Sequence, residues 1–159
     1  MLENLEVTWF PSYGAEMRGG TANCTVVLSN EPIGSPIVTN PDILIVMNEE
    51  SLKKFQPGLK KEGLIIFDSS LICNPYIRTD IHHLGIPATA IANIVGNKKS
   101  ANMVLFGLLI AKTGLLRTSA VFEALGVSIP ERRKKFIEIN KKALLEGIRY
   151  FEDKKSKDI

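Results

Sequence analysis

Along the first 92 residues, apolar positions come in short, β-branched runs. LEVTWF (5–10) and ANCTVVLSN (22–30) read as strands, the second ended by Ser29-Asn30. EPIGSPIVTNP, with three prolines and a glycine, reads as a turn or an edge segment. DILIVM (42–47) is nearly all apolar, the pattern of a strand covered on both faces. Asn48 then caps a short helix, EESLKKFQ, with its acidic pair in the first turn, where the helix dipole favours it, and Pro57-Gly58 at its end. GLIIFDSS (63–70) reads as a buried strand with a polar tip, and IRTDIHHLGIPATAIA (77–92) as a strand or two broken by Gly85 and Pro87.

The period then becomes helical. NKKSANMVLFGLLIAKTG is apolar nearly all round, hence a buried helix, closed by Gly114. SAVFEALG predicts a short helix capped by Thr118 or Ser119 and stopped at Gly126. A long helix opens with Pro130 in its first turn and carries Phe136, Ile137, Ile139, Ala143, Leu144, Ile148 and Phe151 as a core-facing stripe. Strands alternating with helices, followed by a helical C-terminal half, predict an α/β fold: one three-layer α/β/α domain over residues 1–152 with a largely parallel sheet. Residues 153–159 read as a disordered tail.

Composition refines this only in places. The net charge is +3, yet residues 131–159 hold ten Lys/Arg against six Asp/Glu, so the excess is local. That fits a solvated helix face; an acidic or nucleic-acid partner is the alternative the charge leaves open, and the apolar stripe weighs against nucleic acid. Cys24 and Cys73 adjoin apolar runs and are expected to be buried free thiols in a reducing cytoplasm. His82-His83 on a strand would point to opposite faces, a poor start for a metal site. The stretch ANMVLFGLLIAKTGLL is short for a bilayer span and holds Asn102 and Lys112, and no basic leader follows Met1. A cytoplasmic chain with no membrane contact is the expectation.

Catalytic chemistry is sparse. There is no G-x-S-x-G elbow, Walker loop or dinucleotide fingerprint, and no nucleophile, base and charge stabiliser assemble. The candidate is the loop FPSYGAEMRGG: Ser12, Tyr13, Gly14, Glu16, Arg18, Gly19 and Gly20. Its glycines allow positive φ and expose backbone N–H groups, the makings of an anion nest; Arg18 adds a forked donor, and Tyr13 an aromatic with a polar tip. Such a loop after a strand of an open α/β sheet is well placed for a ligand. Glu16 and Asp68 could also meet at strand tips. The residues alone leave open a tight connection in which Glu16 and Arg18 simply pair.

The SYGAExRGG core, the strand after it and the apolar PDILIVMN strand resemble the gamma subunit of 2-oxoacid:ferredoxin oxidoreductases, of the 2-oxoglutarate or branched-chain type. IPATAIANIVGNKKSANMVLFGLLIA and ALGVSIPERRKKFIEINKKALLEGIRYF extend the resemblance over most of residues 7–151. It implies a non-catalytic subunit of an enzyme that decarboxylates a 2-oxoacid on thiamine diphosphate, passes electrons through iron–sulfur clusters to ferredoxin and releases acyl-CoA. The cofactors would sit on alpha and beta subunits, or on a ferredoxin-like delta subunit, with none bound by this chain alone; two distant cysteines agree with that. Residues 12–20 would dock on those subunits near the cofactor or CoA approach.

One departure stands out. The family pattern opens with a strand, a Gly-rich G-x-G-G-Q-G loop and a helix ahead of this segment, and that unit is absent here. A sheet without an inner strand leaves two rows of backbone groups unpaired, so the expectation is an N-terminally incomplete chain. A free-standing anion or small-molecule binding module is the alternative reading.

Overall fold

A computed structural model describes residues 3–12 and 21–156. Strands β1 (Glu6–Ser12) and β2 (Asn23–Ser29) form an antiparallel pair in which Glu6 faces Ser29 and Ser12 faces Asn23. A separate parallel sheet has the order β3-β4-β5, with β3 spanning Ile43–Val46, β4 Leu64–Asp68 and β5 His82–Ile86. Helices α1 (Glu49–Phe55), α2 (Ala88–Val95), α3 (Ala101–Thr113), α4 (Thr118–Ser128) and α5 (Ile137–Lys155) complete the chain, with 3-10 turns at 56–58, 98–100 and 131–136.

Strand β4 is buried throughout because it is covered on both faces, and its alternation divides the interior in two. Leu64 and Ile66 join Ile86, Ala92, Val104, Leu105, Leu108, Ala143 and Leu144 in one core under the helices α2, α3 and α5. Ile65 and Phe67 join Val46, Leu52, Leu59, Ile72 and Ile81 in the other, under α1. Each fully buried Ile or Leu removes apolar surface from water, worth about 1.5–3 kcal/mol per side chain. This is the three-layer α/β arrangement, with a helical C-terminal half.

Many boundaries match the sequence reading. Asn48 Oδ1 accepts from the Ser51 N–H at 2.7 Å and caps α1. Helix α3 ends at Gly114, left-handed at φ 65°, whose N–H reaches the Ile110 carbonyl at 2.8 Å.

Others need correction. Strand β3 is an edge strand with Ile45 exposed, so DILIVM is not covered on both faces. Strand β5 stops at Pro87, and residues 88–95, expected to be extended, are helical. Helix α4 runs through Gly126 to Ser128, because that glycine takes no positive φ; Pro130 stops it by holding Ile129 extended at φ −84°, ψ 121°. Pro130 opens a 3-10 turn in which no residue is buried, and α5 begins only at Ile137, leaving Phe136 40% exposed. Helix α5 continues to Lys155, inside the segment read as a tail.

The irregular crossover from β4 to β5 is held by the side chains of Gln56, which donates to the Tyr76 carbonyl and accepts from the Arg78 N–H, and of Arg78. Arg78 Nη1 donates to the carbonyls of Gln56, Pro57 and Leu59 at 3.0–3.2 Å, and its Nε and Nη2 grip Asp80 at 2.9 and 2.6 Å. The guanidinium thus satisfies the orphan carbonyls after α1 and fixes the return path to β5. Hydrogen bonding from Arg78 holds the Asp80 carboxyl below the usual carboxylate range.

Candidate functional site

Of the predicted loop, Ser12 is described: it is exposed and forms the last ladder pair of the hairpin, opposite Asn23. Tyr13, Gly14, Glu16, Arg18, Gly19 and Gly20 lie outside the described residues. The loop's base is tied to the body where Lys54 Nζ on α1 donates to Thr21 Oγ1 at 2.8 Å. Because the loop leaves an antiparallel hairpin, the ligand-site argument for the carboxyl ends of parallel strands does not reach it.

The hairpin presents one apolar face. Val7, Trp9 and Pro11 lie directly across from Leu28, Val26 and Cys24, so the six side chains share a side. Trp9 is 63% exposed and Val26 55%. Cys24 lies on this face and is exposed, as is Cys73 after β4. Both are free thiols, but neither is buried as expected: apolar neighbours in sequence do not cover a strand face.

At the carboxyl end of the parallel sheet, Asp68, named from the sequence only as a strand-tip neighbour for Glu16, is fully buried at the tip of β4; Glu16 lies outside the described residues. Its Oδ2 accepts from Thr89 N–H at 3.0 Å and Thr89 Oγ1 at 2.6 Å, and its Oδ1 from Ser70 N–H at 2.9 Å. Ser70 Oγ in turn accepts from Ala90 N–H at 3.2 Å. The first turn of α2 is therefore capped by the β4 tip, twenty residues upstream. The only local signal was a charged residue ending an all-apolar strand. With its oxygens engaged by three donors, Asp68 anchors the rim rather than offering a free base.

Among the described residues no three His, Cys, Asp or Glu side chains come together as a metal site. His82 and His83 are both exposed on β5, and His82 Nε2 lies 3.2 Å from Glu62 Oε2. Among the described residues no helix is long and apolar enough to cross a membrane. The described residues thus present an exposed apolar hairpin face and a pinned rim.

The chain matches the family described as pyruvate ferredoxin/flavodoxin oxidoreductase over residues 1–150. Ketoisovalerate oxidoreductase subunit VorA of Methanothermobacter marburgensis is 34% identical over 91% of this chain, which corresponds to 30% of that longer protein. The chain thus spans less than a third of the VorA relatives it matches. 2-Oxoglutarate synthase subunit KorC of Methanothermobacter thermautotrophicus is 33% identical over 87% of this chain and 78% of its own length. Among solved structures, the gamma subunit of the Geobacter sulfurreducens keto/oxoacid ferredoxin oxidoreductase superposes with a TM-score of 0.76 at 28% identity, covering 94% of this chain and 82% of that one. A Magnetococcus marinus 2-oxoglutarate:ferredoxin oxidoreductase shares the fold, with a TM-score of 0.81 at 22% identity, over 94% of this chain and 26% of that one. This chain therefore belongs to the pyruvate ferredoxin/flavodoxin oxidoreductase family.

Proposed function

We propose that the chain is the gamma subunit of a 2-oxoacid:ferredoxin oxidoreductase, supporting oxidative decarboxylation of a 2-oxoacid to acyl-CoA with reduction of ferredoxin. One observation carries the reading: the same unit occurs in relatives both as a subunit of similar length and as a minor part of much longer chains. A unit found in both settings works beside other parts of an enzyme.

In this reading thiamine diphosphate and the iron–sulfur clusters belong to alpha, beta or delta partners, and CoA binds in the complex. Cys24 on the hairpin and Cys73 after β4 belong to no grouping of three potential ligands among the described residues, a poor fit to a four-cysteine cluster. Residues 12–20 dock on the catalytic subunits, Tyr13, Glu16 and Arg18 making the contacts and the glycines permitting close approach. The apolar hairpin face continues that surface.

The sheet topology adds a structural proposal. The parallel sheet ends at β3, and the hairpin is not paired to it, so strand edges remain open on both among the described residues. A strand supplied by a partner chain of the assembly could pair with these edges. Slow exchange of those Ile43–Val46 amides that face away from β4 is expected in the native assembly, against fast exchange in the isolated chain.

The test of function is purification of the native assembly, followed by a panel of 2-oxoacids with CoA and a viologen acceptor. Acceptor reduction requiring both the 2-oxoacid and CoA is expected. A chain that purifies alone, with no such activity in its fractions, would overturn the reading.

A further inference from the structure

Two basic segments far apart in the sequence flank the start of α5. Asn97 Nδ2 donates to Ser100 Oγ at 3.0 Å, and Ser100 Oγ donates to Asn140 Oδ1 at 2.8 Å. The turn bearing Lys98 and Lys99 is thereby fastened to the first turn of α5, directly after the exposed turn that carries Arg132, Arg133, Lys134 and Lys135 in succession. Ser100 is buried while both its lysine neighbours are exposed, so the hydrogen bonds fix the backbone and leave the charges in solvent.

Further along α5 two basic residues are paired at short range: Lys141 with Glu138 at 3.0 Å and Arg149 with Glu146 at 2.9 Å. In the turn before α5, Glu131 is taken up by Lys134. Lys98, Lys99, Arg132, Arg133 and Lys135 have no acidic partner among the described residues. Adjacent cations such as Arg132 and Arg133, or Lys98 and Lys99, repel one another at separations shorter than the Debye length, ~8 Å at physiological salt, and a complementary surface relieves that repulsion. Phe136, 40% exposed and with Lys135 Nζ 5.2 Å from its ring centroid, adds apolar contact area to the same segment. Arginine with an exposed aromatic side chain is the make-up of a protein interface rather than of a grip on a bare phosphate chain.

We propose that this basic surface docks an acidic face of another protein chain of the oxidoreductase complex, steering and orienting the subunit as it assembles. The inference rests on the subunit reading above and deepens it by naming a second contact surface, distinct from the hairpin. The test compares the wild-type full chain with two variants in the purified assembly: K98E/K99E/R132E/R133E, and the same four positions changed to Gln. All four side chains are exposed, so folding, checked by circular dichroism and melting, should be kept. Retention of the chain is expected to fall at least tenfold on charge reversal and less on neutralisation, and wild-type retention to weaken as salt rises. Carbodiimide cross-linking of the wild-type assembly should join Lys98, Lys99 or Lys135 to Asp or Glu of a different chain. A charge-reversed variant retained like wild type, cross-links confined to copies of this chain, or retention abolished by nuclease would overturn the docking surface alone. A wild-type chain that purifies with no other subunit would overturn the subunit reading with it.

Discussion

Gly107 on α3 and Gly147 on α5 face each other where the two helices touch backbone to backbone. A β-carbon on Gly107 would lie 2.0 Å from the Leu144 carbonyl oxygen and 3.2 Å from the Gly147 α-carbon; one on Gly147 would lie 2.0 Å from the Val104 carbonyl oxygen. Real β-carbons do not approach backbone that closely, so alanine at either position must push the helices apart. Overpacking a tight core typically costs 1–3 kcal/mol, and here the obstruction is main chain rather than a movable side chain. Gly107→Ala and Gly147→Ala are each expected to cost at least ~2 kcal/mol, roughly 4–8 °C in Tm for a domain of this size. The double variant should lose less than the sum, since one displacement of the crossing serves both. Thermal and denaturant melts check this; unchanged midpoints for both single variants would show that the helices sit further apart.

Asp68→Asn is the second expectation. The change keeps the shape but sets an amide where a carboxylate now receives three donors, leaving at least one N–H or hydroxyl of the buried rim opposed by another donor. Losing hydrogen bonds to a buried charged group costs about 1.5–3 kcal/mol. Thr89→Val removes one of the donors and should cost about 1 kcal/mol. Amide exchange distinguishes capping from general loosening: protection should drop first at Thr89 and Ala90. Protection unchanged there, with losses elsewhere, would contradict tertiary capping of α2.

The same pair explains where the sequence could be read and where it could not. Strand β4 and helix α3 were visible because their patterns, uninterrupted burial and all-round apolarity, are local. Helix α2 was hidden because its cap comes from Asp68 and Ser70, residues that no window around PATAIA contains. The hairpin misled in a related way: the alternation of Cys24, Val26 and Leu28 shows that they share a face, but not whether anything covers it. Glycine 126 shows the limit of composition, since a glycine stops a helix only when its backbone turns left-handed. The family resemblance of the opening loop was legible from its residues, and residues 13–20 lie outside those described.

Acid should weaken the crossover clamp. The Asp80 carboxyl is held below its ordinary value by the hydrogen bonds from Arg78, so its folded pKa lies below its unfolded one. A group of this kind contributes stability above the unfolded carboxylate pKa of about 3.9 and loses it as pH falls through the lower folded value. Glu3 acts in the same direction, its carboxyl lowered first by the Arg117 backbone N–H at 2.9 Å. Asp80→Asn should therefore melt below wild type at pH 6, with the two curves converging as pH falls below the ordinary carboxylate range. A constant gap across that window would remove Asp80 as the titrating group.

Assembly can be followed from the hairpin itself. Trp9 is the single tryptophan of the chain, and both it and Cys24 stand on the exposed apolar face. In the isolated chain, both Cys24 and Cys73 should react rapidly with a thiol reagent and Trp9 should emit as a solvated indole. If the hairpin docks on the proposed partner subunits, Cys24 should become protected and the Trp9 emission should shift to the blue, because the hairpin face would be desolvated. Arg18→Ala should leave the isolated fold intact and lower complex activity or assembly about tenfold or more, the scale of one lost charged hydrogen bond of about 1.5–3 kcal/mol. Paired measurement separates two outcomes. Loss of assembly with Arg18→Ala places the loop in the docking contact. Normal assembly, Cys24 protection and a Trp9 shift alongside lost activity place Arg18 at the cofactor or CoA approach. Wild-type turnover in the variant, with Cys24 equally reactive free and assembled, would remove both the loop and the hairpin from the interface.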